Sequence, residues 1–276
     1  MTMAVRTNIA SMVAAGQLGR TNRALGTSLN RISSGLRINS AADDSAGLGV
    51  ATNLETQVGS TRQAIRNAND GISIIQTAEG AADEVTDILQ RMRELAVQSS
   101  SETLDDDERA YIESEFDELS SEISRIANVT EFNGLALSNN TSTSLDVQVG
   151  INNSANDRIT ITLGDLRATT LGVDSAAVTL ATSSEAQSAL SVIDTALDSV
   201  NSYRSTFGAV QNRIDSAINN ATVNTEALSG ARSQIQDTDF ATETSNLTRL
   251  QIMQQAGVAS LAQAKNVNQS VISLLS

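Results

Sequence analysis

The chain has 276 residues and a formal net charge of −14, with no Cys, His, Pro or Trp and only 2% aromatic side chains. Without Cys there is no disulfide or thiolate chemistry, without His the commonest general base and zinc ligand are missing, and the acidic balance argues against nucleic-acid binding. So few aromatics cannot fill a thick core, so the composition predicts a mainly α protein, an elongated antiparallel helical bundle or coiled coil.

The charge is unevenly placed. Residues 1–42 carry five arginines and no acid, whereas residues 43–236 carry 29 acids against 11 arginines. In the first segment Leu18, Leu25, Leu29, Ile32 and Leu36 recur at steps of 7, 4, 3 and 4, a heptad-like seam. Gly16, Gly19, Gly26 and Gly35 weaken that helix by roughly 1 kcal/mol each relative to Ala, so alone it is marginal and needs a partner. The stretch 29–50 ends this seam and passes into the acidic body.

Residues 44–99 form the longest pattern. Leu54, Val58, Thr61, Ile65, Ala68, Ile72, Ile75, Glu79, Ala82, Val85, Leu89, Met92 and Ala96 step by three or four. Residues 100–108 read as a turn and a helix start, with Asp105, Asp106, Asp107 and Glu108 at the positive helix end. Ile112, Phe116, Leu119, Ile123 and Ile126 carry the next helix to about residue 127, its other face acidic. The helical period then stops. A Phe132-Asn133-Gly134 turn precedes alternating runs at Leu145, Val147, Val149 and at Ile159, Ile161, Leu163, which predict a β-hairpin near 145–163. The Thr/Ser/Ala-rich stretch to Ser183 reads as a surface excursion. Helix returns over 184–235, with Ala186, Leu190, Ile193, Leu197, Val200, Phe207, Ile214 and Ile218 in step. Beyond a second acidic junction at 236–243, Leu247, Leu250, Leu261, Val267, Val271 and Leu274 mark a final, nearly uncharged helix.

The layout predicts two domains. Residues 1–43 and 237–276 are paired terminal helices, and 44–236 are a helical bundle with the hairpin. No apolar run of 18 residues exists, so no membrane insertion is expected. The first residues lack the apolar block of a secretory signal, so export would use a route that removes none.

Carboxylate pairs at Asp43/Asp44 and Asp105–Glu108 are explained by helix starts and a hinge without invoking acid/base catalysis, and neither has the order of a calcium loop. No enzymatic activity, cofactor or metal is expected. The tails lack the Trp and Phe of a membrane-surface helix. Apolar stripes uncovered in the monomer point instead to self-assembly, each large side chain contributing roughly 1.5–3 kcal/mol on burial, and contacts between unlike faces of like subunits build an open helical fibre.

Five motifs then carry a resemblance: NRISSGLRINSAADDSAGL (30–48), QRMRELAVQS (90–99), EFNG (131–134), GAVQNRIDSAI (208–218), and the tail containing LQIMQQAG (250–257) and SLAQAKNVNQSVISLL (260–275). In this order the chain resembles bacterial flagellin, in a short form lacking the large outer variable domains. The resemblance implies a motility filament subunit in the extracellular medium, exported unfolded by the flagellar type III apparatus and polymerised at the tip. Its terminal helices would line a central channel. It further implies an export chaperone, a filament cap and hook–filament junction proteins as partners, and a host Toll-like receptor reading Arg91, Leu95 and Glu115. The alternatives are a hook–filament junction protein, or a secreted helical adhesin or immune-modulating protein.

Overall fold

The structure is a computed structural model that describes residues 7–139 and 144–273, with side-chain surroundings up to residue 266. Among these residues lie six α-helices: α1 (Ile9–Ser34), α2 (Ser45–Ser99), α3 (Asp106–Val129), α4 (Ala168–Leu171), α5 (Ser183–Gln236) and α6 (Phe240–Ser273). Two antiparallel hairpins complete the set, β1 (Glu131–Phe132) with β2 (Leu135–Ala136) and β3 (Ser144–Gln148) with β4 (Arg158–Thr162). The fold is mainly α, as composition and period predict. The chain divides into two compact units, Met1–Val58 with Glu226–Ser276, and Gly59–Thr225.

The unit Gly59–Thr225 holds two apolar clusters. In one, Ala82, Val85, Leu89, Met92 and Ala96 of α2 meet Ile112, Phe116 and Ile123 of α3 and Ala186, Ile193 and Val200 of α5. In the other, Ala68, Ile74, Ile75 and Ala78 of α2 and Phe207, Val210 and Ile214 of α5 enclose the inner face of the β3–β4 hairpin. Leu145 pairs with Ile161 and Val147 with Ile159, so period-two alternation places one apolar row on the helices. Gly71 lets the hairpin lie close, because a Cβ there would stand 3.1 Å from a Val147 methyl.

On α2 the buried positions include Ala64 and Ala78, while Ile65 and Glu79 are only half-buried. The turn between α2 and α3 ends in a capping box. Asp105 accepts from the Glu108 N–H at 2.8 Å while Glu108 accepts from the Asp105 N–H at 3.3 Å, the helix start expected from this acidic run. Buried Arg109 donates to the carbonyls of Ser101 and Leu104 and so satisfies the turn's backbone. The hairpin β1–β2 turns on Asn133 (φ 51°) and Gly134 (φ 77°), the left-handed pair that an Asn-Gly turn requires.

The stretch from 164 to Ser183 is not a surface excursion. Leu166, Ala168, Leu171, Val173, Val178 and Leu180 are all buried against the α2–α3–α5 cluster. Their spacing follows no helical or strand period, which is why the sequence pattern does not announce their burial. Asp165 anchors the segment, paired with Arg167 at 2.7 Å and accepting from the Thr170 hydroxyl at 2.7 Å. Burial opposes ionisation of Asp165, but the Arg167 guanidinium and N–H and the Thr170 hydroxyl together hold its carboxyl below the usual carboxylate range.

Candidate self-assembly surface

Within Met1–Val58 with Glu226–Ser276, α1 and α6 lie antiparallel along one register. The Asn8 side-chain amide donates to the Ala264 carbonyl at 2.8 Å, and that of Gln254 to the Asn22 side-chain carbonyl at 2.9 Å. The Ser28 hydroxyl donates to Glu243 at 2.5 Å, and Leu36 bridges Asp237. Gly257 faces Leu18, whose methyl would lie 3.2 Å from an added Cβ. Asn8 also caps α1 by accepting from the Ser11 N–H, and Gly35 ends it at φ 73° with its N–H on the Arg31 carbonyl.

The side of α1 facing α6 steps through Ser11, Ala14, Leu18, Thr21, Leu25, Ser28 and Ile32. Thr21 and Ser28 are its buried members. Leu18, Leu25, Ile32 and Leu36 are half-buried, but Leu29 is 48% exposed and lies off this seam. Ser28 takes the place that a purely apolar heptad assigns to Leu29. The facing side of α6 carries Glu243, Leu247, Leu250, Gln254, Gly257, Leu261 and Ala264. Val267 and Val271 have no side-chain description, and Leu274 lies outside the described residues.

The pair leaves much apolar surface outside. Ile9, Met12, Val13 and Leu29 on α1, with Phe240, Ile252, Met253 and Val258 on α6, are exposed. Neither helix buries a large apolar side chain completely among the described residues. Exposed rows this extensive mark an interaction surface. Sequence reasoning missed Ser28, Gln254 and Glu243 as register-setting polar partners, and Thr21 as a buried seam member whose hydroxyl donates to the Gln17 carbonyl of its own helix. Their signal was their position in the same three-four stepping, hidden because the pattern was read through apolar types alone.

The joint after α1 is held by aspartate caps. Asp43 accepts from the hydroxyl and N–H of Ser40 and from the N–H of Asn39, and these bonds, with Arg31 adding a smaller attraction, hold its carboxyl below the usual range. Asp44 caps α2 through the N–H groups of Ala46 and Gly47, and a Cβ at Gly47 would meet its carboxylate at 2.3 Å. Asp239 caps α6. The Thr242 hydroxyl and N–H and the Ala241 N–H lower its carboxyl likewise. Arg31 reaches both Asp43 and Glu243, each at 4.0 Å.

In Gly59–Thr225, Arg91 pairs with Glu115 at 2.8 Å and Glu94 at 3.0 Å, all three side chains well exposed. Leu95 is 1% exposed and belongs to the core, so of the three residues singled out for recognition only Arg91 and Glu115 present themselves to a partner. Among the described residues no helix is long and apolar enough to cross a membrane.

Residues 5–143 match the family model of the bacterial flagellin N-terminal helical region, and residues 190–275 that of the bacterial flagellin C-terminal helical region. The chain is 42% identical over 273 residues to a flagellin of Halalkalibacterium halodurans, covering 99% of this chain and 100% of that relative. It is 37% identical over 287 residues to the flagellar filament 33 kDa core protein of Treponema phagedenis, again covering 99% and 100%. Among solved structures, a Bacillus cereus flagellin matches 56% of this chain and 88% of its own at 29% identity and a TM-score of 0.50.

Proposed function

The chain belongs to the bacterial flagellin family, and from that premise we propose that the outer faces of α1 and α6 are the surface through which its copies polymerise. The protein is a structural subunit of the extracellular flagellar filament, in a short form without a large variable domain. The observation that carries the proposal is the register-locked α1–α6 pair with eight large apolar side chains left outside it. Burying such a row in a neighbour contributes roughly 1.5–3 kcal/mol per large side chain, enough to offset the ordering of two marginal helices. Of the seam set Leu18, Leu25, Leu29, Ile32, Leu36, Leu247, Leu250, Leu261, Val267, Val271 and Leu274, we assign Leu18, Leu25, Ile32, Leu247, Leu250 and Leu261 to holding the pair and Leu29 to meeting the neighbour. In this reading α1 and α6 line the filament channel, and residues 44–236 form the layer around it.

Export in the unfolded state suits a chain with no Cys to oxidise and no Pro to isomerise. An export chaperone, a filament cap and hook–filament junction proteins complete the set of partners. A host Toll-like receptor would read Arg91 and Glu115 on the monomer. Removing residues 1–30 or 250–276 is expected to leave Gly59–Thr225 folded by circular dichroism and to abolish pelletable fibres on seeding at neutral pH. Normal filaments from either truncated chain would overturn the assignment of the polymerisation surface.

A further inference from the structure

We propose that a cleft beside the β3–β4 hairpin receives the acidic, tyrosine-bearing stripe of α3 from a second copy of this chain. The inference rests on the filament reading above and names one contact within it. The cleft has a volume of about 540 Å³ and is lined by Val149 and Ile159 of the hairpin side and by Arg158, Asn212, Arg213 and Ser216. Its two cations are not neutralised from within. Among the described residues Arg158 donates only to the side-chain carbonyls of Gln148 at 3.1 Å and Asn153 at 2.8 Å. Arg213 has no hydrogen bond or ion pair among the described residues. By contrast Arg91, Arg93, Arg125, Arg167 and Arg204 of the same unit each hold a carboxylate.

The complementary surface is on α3. Asp107, Tyr111, Ser114 and Glu118 stand at i, i+4, i+7 and i+11, one exposed row on the helix. Tyr111 is 78% exposed, the most exposed of the large apolar and aromatic side chains described. Asp107 and Glu118 pair with no cation among the described residues. A free aromatic between two free carboxylates is the chemistry that recognises guanidinium groups, by ion pairing at either end and cation–π contact between. Tyr and Arg are also the residues on which protein interfaces most often depend.

The two surfaces belong to different ends of the unit. The cleft sits by the hairpin cluster, around residues 148–159 and 212–217, whereas the stripe lies on α3, whose apolar side packs in the other cluster. A contact between unlike surfaces of identical chains is heterologous and propagates. In copies that each carry −14, it also sets attraction against like-charge repulsion at one defined place.

The absence of native Cys makes the contact readable. The full chain carrying Ser114→Cys and Ser216→Cys keeps every charge and Tyr111. Assembled by seeding and oxidised with copper phenanthroline, it should give a ladder of disulfide-linked multimers, while each single variant stays monomeric on a denaturing gel. Separately, Arg213→Glu should cut the seeded growth rate by about tenfold or more, the scale of one lost ion pair turned repulsive. Adding Glu118→Arg to it should restore growth toward wild type. Pelletable filaments without a ladder, or a double charge variant no better than Arg213→Glu, would overturn the contact and leave the filament reading standing. No pelletable assembly by the unaltered chain would overturn both.

Discussion

At the residue scale the unit Gly59–Thr225 depends on positions where size leaves no choice. A Cβ on Gly164 would stand 2.6 Å from the Tyr203 ring, a rigid group with no free end to swing aside. Gly164→Ala is therefore expected to destabilise the monomer by about 1–3 kcal/mol through overpacking, read as a lower urea midpoint at unchanged slope. Arg91 is the opposite case. Its pair with Glu115 is exposed on both sides and contributes little to stability. Arg91→Ala should leave thermal unfolding unchanged and reduce Toll-like receptor signalling by the monomer. Undiminished signalling would show that the receptor reads other residues.

At the element scale, helix ends carry the specificity that helix interiors lack. The reciprocal Asp105–Glu108 bonds start α3 directly after the turn that Arg109 satisfies. Asp105→Ala removes a cap and should cost about 0.5–2 kcal/mol, measured as a fall in the unfolding midpoint of the monomer. At the joint the aspartate bonds add a dependence on pH. Asp43 and Asp239 are held below the ordinary value by hydrogen bonds present only when folded. Their contribution is complete above the unfolded value of about 3.9 and is lost as pH falls through the lowered native values. Hydrogen exchange of amides 38–47 and 238–244 should therefore accelerate as pH drops below about 4, after correction for intrinsic exchange. The chain with Asp43→Asn and Asp239→Asn should lose that acid step; an unaltered step would place the sensitivity elsewhere.

At the scale of the whole molecule, the division of apolar burial explains the division of labour. Nearly all fully buried large side chains lie in Gly59–Thr225, while among the described residues of Met1–Val58 with Glu226–Ser276 the buried apolar ones are only Ile38, Ala51 and Val58. Thermal unfolding of the monomer is then governed by the first of these. A chain lacking 250–276 should melt at the midpoint of the full chain, while amides in α1 exchange faster for want of their partner. A large fall in the midpoint would mean that the terminal pair contributes to the monomer's stability.

Local sequence determined the long helices and the alternating hairpin through their periods, and the turns at Asp105 and at Asn133-Gly134 through their residue types, because each is a local rule about which residue suits which backbone position. The ordered motifs at both ends determined the family. Tertiary structure alone decided that Leu166 to Leu180 is core, because residues buried without a period are recognisable only from what covers them. It alone exchanged Leu29 for Ser28 on the terminal seam, because a hydroxyl with a carboxylate opposite is as much a seam residue as a leucine, and the opposite residue, Glu243, is 215 positions away. It likewise withdrew Leu95 into the core and left Arg213 without a partner among the described residues, since both follow from which neighbours the fold assembles around a side chain.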